Sequence, residues 1–332
     1  MNTNKSSARK DVSEELGISE MRIQRLLFID KVFSELIDMI DDGKLTIHQA
    51  YIEAKRRKVF MSIKDNKEQP GIPSKVESDR FTIYNKSSEH MTELKNSSVN
   101  MIMTSPPYFS QRNYGNDLQI GLEQTVDGFL DNLMKVFDEC KRVLKDDGSL
   151  YVVIGDTYIN GCLGSVPHRF AIRMMDSGWI QRNCIVWHKT NPKPESVKTR
   201  LSTSHEFIFF FTKTKDYYFD IDSIRQPYKE QSVEDIRSPR QDFIEVSKHS
   251  FGIGKKLGVS DIEHGAVYPP SLCYDPIKSS TKEGDLVLDC FSGSGTTGEV
   301  SLELGRQYVG YEINSKFVQL SELRLSSMIN KK

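Results

Sequence analysis

The residues best suited to chemistry stand in one short segment, Thr104-Ser105-Pro106-Pro107-Tyr108, directly after the apolar run 99–103. An apolar run that meets two prolines is typical of a buried strand that ends there, because proline cannot donate a backbone N–H. The segment therefore predicts a stiff elbow that presents a hydroxyl, a carbonyl and an aromatic ring at the end of a strand, where open α/β sheets bind ligands. A Pro-Pro turn that only closes a strand is the structural alternative.

A glycine-rich segment near the C-terminus is the second candidate site. It reads Asp289-Cys290-Phe291-Ser292-Gly293-Ser294-Gly295-Thr296-Thr297 and lies between an apolar run and a helical pattern. Glycines at that point let a ligand lie against the backbone and on the N-terminus of the helix. Glu312 follows the next predicted strand, where a carboxylate can accept both hydrogen bonds of a ribose diol. This order predicts a site for a nucleoside-containing cofactor, with a structural glycine turn as the alternative.

The elements that must position these residues alternate between strand and helix from about residue 80, which predicts an α/β fold with a largely parallel sheet. The expected strands are 81–84, 99–103, 149–154, 185–187, 207–211, 286–288 and 308–311, and the expected helices are 126–144, 169–177, 298–304 and one from 315. Residues 225–265 carry much charge and interrupt this alternation, which is typical of an inserted recognition region.

The first 62 residues predict a small helical domain, and the polar segment 63–78 predicts a linker before a catalytic domain over 79–330. Ser19 is the expected cap of a helix whose apolar face contains Met21 and Leu27, and further helices are expected at 31–40 and 46–54. Short helices joined by a glycine turn are typical of a helix-turn-helix. A helical cap or a dimerisation arm is the alternative.

Composition excludes several classes. The chain has 332 residues, a net charge of −1 and 37% hydrophobic residues, which suits a globular protein with one large and one small domain. Five scattered cysteines without a CxxC pair indicate neither a disulfide framework nor a zinc site, and we expect no metal. The longest apolar runs are too short to span a membrane, so we expect a cytoplasmic protein without a membrane partner.

Two blocks of the sequence carry a family resemblance. "VLDCFSGSGTTGEVSLELGRQYVGYEI" and "MIMTSPPY" resemble the S-adenosylmethionine-dependent DNA amino-methyltransferases, in the permuted β-type order that puts the catalytic block first. The resemblance covers about residues 80–325 and implies a Rossmann-like class I methyltransferase fold with circularly permuted motifs. The Ser-Pro-Pro-Tyr form resembles the N4-cytosine subgroup, although N6-adenine stays open. The N-terminal segment "VSEELGISEMRIQRLL" resembles the ParB/KorB type of helix-turn-helix.

The resemblance implies roles for individual residues. Six residues of the glycine-rich segment would line the cofactor, Asp289 would sit under its amino acid end, and Glu312 would bind its ribose. The six are Phe291, Ser292, Gly293, Ser294, Gly295 and Thr296. The chain departs from the family at Cys290, where proline is common, and at Asn85-Lys86, where Gly-Asp helps to hold the adenine.

The elbow would act by geometry, since an exocyclic amino group is a poor nucleophile while its lone pair is delocalised. Hydrogen bonds to Ser105 and to the Pro106 carbonyl would turn the nitrogen lone pair toward the methyl group, and Pro107 would keep the elbow rigid. The base must leave the duplex to reach this point, and Tyr108 would stack on it.

Double-stranded DNA is the expected partner, and basic or polar side chains at two places are the candidate contacts. They are Arg22, Gln24 and Arg25 in the N-terminal domain, and Lys189, Lys193, Lys198 and Arg200 in the catalytic domain. A restriction-modification or phage setting, a cognate restriction endonuclease and a homodimer are further expectations. A DNA-binding regulator that has lost catalysis is the alternative of another class.

Overall fold

The structure is a computed structural model, and it describes residues 17–47, 49–51, 53–54, 74–111, 119–192, 194–227, 237–238, 240–247 and 268–329. The chain divides into two compact units, Met1–Pro70 and Gly71–Lys332. Most of the expected recognition insertion, Lys193 and the first helix of the expected helix-turn-helix lie outside the described residues.

The N-terminal unit contains α1 (Glu20–Phe33) and α2 (Glu35–Asp41), followed by helical residues at 47, 49–51 and 53–54. Ser19 caps α1 as expected and accepts a hydrogen bond from the Arg22 N–H. The first helix ends at Phe33, and Ser34 separates it from the second. Residues 31–33 were predicted to begin the second helix, but they belong to the first. The predicted apolar face was also partly wrong, because Met21 and Leu27 are more than half exposed.

The small core of this unit forms where α1 and α2 meet the last helical residues. It contains Ile29, Phe33, Leu36, Ala50 and Ala54. Ile29 and Phe33 are four residues apart in α1, as are Ala50 and Ala54 later in the chain, so each pair lies on one helical face. The helix-turn-helix itself is not confirmed.

The larger unit is built around one sheet, in which the described strands number nine. Their order is β1 (Lys75–Glu77), β2 (Phe81–Tyr84), β13 (Gln307–Tyr311), β12 (Leu286–Asp289), β3 (Val99–Thr104), β4 (Leu144–Ile154), β8 (His205–Thr212), β7 (Ile180–His188) and β11 (Phe243–Glu245). Pairs from β2 to β4 are parallel, and β8 is antiparallel to both of its neighbours. Short two-stranded pairs form from β5 (Tyr158–Ile159) with β6 (Cys162–Leu163), and from β9 (Gln226–Pro227) with β10 (Arg237–Ser238).

Helices connect the strands of this sheet. They are α3 (Val126–Val143), α4 (Val166–Asp176), α5 (Ser271–Ser280), α6 (Thr296–Glu303) and α7 (Ser315–Ile329), with a 3-10 turn at Asp222–Ile224. The chain runs from β3 through α3 to β4 on one side, and from β12 through α6 to β13 on the other. The order therefore reverses between β3 and β12, which is the switch point where doubly wound sheets bind ligands. The predicted α/β class with a mainly parallel sheet is confirmed.

Several predicted bounds differ from the structure. Strand β4 begins at Leu144 and not at 149, because Leu144 already pairs with Val99 and its carbonyl accepts a hydrogen bond from Lys213 Nζ. The segment 145–148, which directly follows the helix predicted at 126–144, therefore belongs to the strand. Helix α4 begins three residues early since a proline fits its first turn, and α5 was not predicted at all.

No helix among the described residues is both long enough and apolar enough to cross a membrane.

Candidate active site

A cavity of about 690 Å³ lies at the carboxyl ends of the parallel strands, and both predicted segments line it. The elbow contributes all four of its candidate residues, Ser105 to Tyr108, and the glycine-rich segment lies opposite. A buried hydrogen bond of 2.6 Å, from Thr104 Oγ1 to Asp289 Oδ1, joins the ends of β3 and β12. Segments almost two hundred residues apart are thus fixed to each other directly beneath the cavity.

The glycine-rich loop is held from behind by α7. Gly293 and Gly295 have φ angles of 51° and 74°, in the left-handed region that residues with a Cβ atom rarely adopt. Ser321 Oγ donates to the Gly293 carbonyl, and buried Arg324 donates to the carbonyl of Ser294 and to Thr296 Oγ1. These contacts fix the loop conformation before any ligand binds.

Asp289 anchors this loop. Its carboxylate is 1% exposed and accepts four hydrogen bonds, from the hydroxyls of Thr104, Thr297 and Tyr268 and from the Phe291 N–H. Burial raises the pKa of Asp289 although these donors act in the opposite direction. Asp289 and Gly295 are outside the described lining of the cavity, whereas the other predicted cofactor residues are part of it.

Glu312 lies in the wall of the cavity at the end of β13. Its two carboxylate oxygens accept backbone hydrogen bonds of 2.8 Å from Gly293 and from Asn314, and the Ile313 N–H also donates to the carboxylate. A carboxylate has about four acceptor sites, so Glu312 keeps acceptor capacity for a diol. Burial raises the pKa of Glu312 to about 7, which makes its charge sensitive to neutral pH.

Two departures from the family pattern have defined contacts. Asn85 Nδ2 donates to the Glu312 carbonyl at 2.8 Å, and Lys86 in the cavity wall pairs with Glu93 at 2.8 Å. Cys290 is buried and its sulfur lies 3.5 Å from Thr104 Oγ1 and 3.8 Å from Cys140 Sγ. Both positions therefore contact residues that hold the site, Asn85 through Glu312 and Cys290 through Thr104.

The elbow lies in the cavity wall opposite the glycine-rich loop, and side chains of that wall hold it in place. Pro106 is buried, whereas Ser105 and Tyr108 are half-buried and face the cavity. The Tyr108 hydroxyl donates to Glu206 Oε2 at 2.7 Å. Glu206 and Lys189 form an ion pair in the same wall.

Sequence reasoning missed several of these residues. Tyr268 hydrogen-bonds Thr297 and Asp289, and Arg324 spans the glycine-rich loop. Tyr268 begins the stretch "YPPSLCYDPI", whose paired prolines and aromatic residues were the available signal, but Arg324 sits within an ordinary helical pattern that gives no such signal. Glu206 stands in an apolar strand, and an isolated charge there was the available signal.

The candidate DNA contacts differ in their surroundings. Arg22, Gln24 and Lys198 are exposed, but the Arg25 guanidinium lies 5.5 Å from the centre of the Tyr51 ring. Arg200 pairs with Glu195 at 2.8 Å and stacks on the Tyr158 ring at 3.7 Å. Arg25, Lys189 and Arg200 thus contact other side chains of the protein. The sequence pattern predicted a contact with DNA for each of them.

The comparisons with known proteins agree with this geometry. A family profile described as "DNA methylase", for N6- and N4-methyltransferases, matches residues 99–323. The chain belongs to this family. The match includes both the elbow and the glycine-rich loop.

Individual relatives are Type II methyltransferases. The chain is 38% identical over 264 residues to M.Cfr9I of Citrobacter freundii, covering 71% of this chain and 84% of the relative. It is 32% identical over 253 residues to M.HinfI of Haemophilus influenzae, covering 71% and 66%. This DNA methylase is therefore similar to the modification enzymes of restriction-modification systems.

Two solved structures share the fold. The PvuII cytosine-N4-specific DNA methyltransferase has a TM-score of 0.60 at 23% identity, and the alignment covers 76% of this chain and 93% of that one. A putative DNA modification methylase from Thermus thermophilus, solved with S-adenosyl-L-methionine, has a TM-score of 0.56 at 22% identity, covering 77% and 96%. At these identities the likeness establishes the class I methyltransferase fold of this DNA methylase.

Proposed function

We propose that this DNA methylase transfers a methyl group from S-adenosylmethionine to the exocyclic N4 amino group of cytosine in double-stranded DNA. The observation that carries the proposal is the hydrogen bond from Thr104 to Asp289, because it fixes the amino-orienting elbow beside the cofactor loop. The Ser-Pro-Pro-Tyr form of the elbow favours cytosine over adenine, and the cytosine-N4 specificity of the PvuII enzyme agrees with that choice.

The residues of the cofactor wall fit S-adenosylmethionine. Glu312 offers acceptors to a ribose diol, and the aromatic rings of Phe291, Tyr311 and Phe317 offer apolar surface to an adenine. Ser292, Ser294 and Thr296 present a polar loop at the N-terminus of α6. When bound, this cofactor supplies an electrophilic methyl group on a sulfonium.

The elbow residues orient the amino group of the base. Ser105 Oγ and the Pro106 carbonyl each accept a hydrogen bond from the amino group. The nitrogen lone pair is then less delocalised into the ring and is directed across the cavity. Tyr108, half-buried in the cavity wall, stacks on the displaced base. The methylated amino group returns to neutrality by releasing one proton to solvent water.

Nucleoside analysis tests the proposal and its main alternative. The enzyme is incubated with DNA and trideuteromethyl S-adenosylmethionine, the DNA is digested, and the nucleosides are weighed. We expect labelled N4-methyldeoxycytidine. Labelled N6-methyldeoxyadenosine would instead assign the adenine activity that the family also contains.

Calorimetry with S-adenosylmethionine separates an enzyme from a regulator that has lost catalysis. The departures at Asn85-Lys86 and Cys290 motivate that alternative, but their contacts leave the loop and Glu312 in place. We expect the wild-type protein to bind the cofactor. An absence of binding would contradict the proposed enzyme.

The proposed DNA contacts outside the cavity are the N-terminal helices and the insertion at 225–265, in a domain arrangement of 1–62, 63–78 and 79–330. The similarity to Type II methyltransferases supports a restriction-modification setting with a cognate endonuclease. A homodimer remains a prediction that gel filtration with and without DNA can check.

A further inference from the structure

A chain of three side chains forms the wall of the cavity behind the elbow. The Tyr108 hydroxyl donates to Glu206 Oε2 at 2.7 Å, and Glu206 Oε1 is paired with Lys189 Nζ. The side chains of Lys189 and Glu206 are only 14% and 15% exposed. The ammonium also lies 5.0 Å from the centre of the buried Trp187 ring.

The backbone makes this chain rigid. Glu206 belongs to β8, and Lys189 directly follows β7, whose last residue pairs with His205. The Lys189 N–H donates to the Ser204 carbonyl at 2.8 Å, which closes the two strand ends together. The paired strand ends therefore fix the backbone positions of Lys189 and Glu206, from which the two side chains reach each other.

Gly155 provides a second, independent observation. It follows β4, and a Cβ atom at this position would lie 2.8 Å from Tyr108 Cε2 and 3.1 Å from Glu206 Cγ. Contacts below 3.0 Å require a neighbour to move. Only a residue without a side chain leaves Tyr108 and Glu206 where they meet.

We propose that Glu206, held by Lys189, is a positioning residue that fixes the Tyr108 ring in the orientation needed to stack on the target base. The inference rests on the proposed function, in which Tyr108 receives the displaced base. A hydrogen bond to a carboxylate restricts the tyrosine ring more strongly than one to a neutral acceptor.

This assignment replaces the expected DNA-phosphate role of Lys189. An ion pair with little solvent exposure leaves an uncompensated charge if one partner turns to another group, so the pair resists separation. Lys189 therefore acts on the base through Glu206 and Tyr108.

The first test is the near-isosteric substitution Glu206→Gln. We expect the single-turnover rate of DNA methylation to fall about ten- to hundredfold, because the charged acceptor of the Tyr108 hydroxyl is lost. The affinity for S-adenosylmethionine, measured by calorimetry without DNA, should stay within about twofold of wild type, since the cofactor wall is untouched.

A double-mutant cycle shows whether Glu206 acts through Tyr108. Tyr108→Phe keeps the ring and removes the hydroxyl, so it should lower the single-turnover rate by a factor similar to that of Glu206→Gln. The double variant should then be no slower than the slower single variant, because both substitutions remove the same hydrogen bond. Purely structural damage would leave the two losses independent and therefore multiplicative.

Lys189→Met and Lys213→Met form a matched pair of controls. Both lysines are 14% exposed and ion-paired, but Lys213 lies beyond the opposite end of β8 and pairs with Asp146. We expect Lys189→Met to reduce the methylation rate and Lys213→Met to leave it unchanged, while thermal unfolding reports any loss of stability in either. If Glu206→Gln does not fold, this comparison still tests the inference.

Wild-type rates in both Glu206→Gln and Lys189→Met would overturn the inference, as would multiplicative losses in the cycle. Neither result would affect the proposed function, provided the wild type methylates DNA. A wild-type protein that binds the cofactor but leaves every nucleoside unlabelled would instead contradict the proposed function itself.

Discussion

The two walls of the cavity are built in different ways. The cofactor wall is held by buried groups and backbone, as with Asp289 and its four donors or Glu312 and the backbone N–H groups that donate to it. The base wall depends on side chains that hold other side chains, as with Tyr108, Glu206 and Lys189. The cofactor wall is therefore preformed within the fold, whereas the base wall can be altered one side chain at a time.

This difference suggests that substitutions in the two walls should fail at different steps. Changes in the cofactor wall should abolish binding of S-adenosylmethionine and lower stability together, because the same contacts do both. Changes in the base wall should slow methyl transfer and leave cofactor binding intact.

The largest effect is expected for Gly293→Val. A β-branched residue at a φ of 51° is strained by about 1–3 kcal/mol, and its side chain would fill the space beside Glu312. We expect no measurable cofactor binding by calorimetry and a lower unfolding midpoint. Retained binding in this variant would show that the loop is less fixed than its contacts indicate.

A smaller effect is expected from pH, through Glu312. Burial raises its pKa to about 7, so the carboxyl group is largely protonated below that pH and ionised above it. The ionised form accepts hydrogen bonds from a ribose diol, so affinity should rise with pH, by up to about tenfold per unit below 7, and then level off.

5′-Methylthioadenosine is a suitable probe for this titration because it lacks the amino acid end of the cofactor. Glu312→Gln should bind it more weakly and without the pH dependence. An equally steep pH dependence in that variant would assign the titration to another group.

The sequence predicts those site residues that belong to a local motif. It does not predict those whose role depends on contacts with distant parts of the chain. The elbow and the glycine-rich loop are local patterns at strand ends, and both line the cavity. The partner of Tyr108 is Glu206 in β8, 98 residues further along the chain, and Glu206 pairs in turn with Lys189, which follows β7. No local pattern links these three residues. Arg25 and Arg200 show the converse, because a basic side chain in a sequence carries no mark of the ring or carboxylate that engages it.

The strand bounds follow the same rule. The segment 145–148 has the composition of a helix stop, yet pairing of Leu144 with Val99 and the hydrogen bond from Lys213 extend the strand through it. Tertiary contacts here override local propensity.

The smallest effect is expected in the N-terminal unit. The prediction that Arg22 and Gln24 contact DNA implies that replacing both with alanine weakens DNA affinity about tenfold and leaves cofactor affinity unchanged. Lys31→Ala, at the other end of α1, is the matched control for the lost charge. Equal losses in both variants would indicate a general charge effect, and no loss in either would favour the helical cap or dimerisation arm.

The most direct test of the division between the two walls is a single-turnover measurement on the Ser105→Ala variant already loaded with labelled S-adenosylmethionine. The account predicts wild-type cofactor affinity and a transfer rate that is lower by about a hundred- to a thousandfold, because an acceptor of the amino hydrogens is lost. A variant that binds the cofactor normally and transfers the methyl group at the wild-type rate would contradict the role of the elbow.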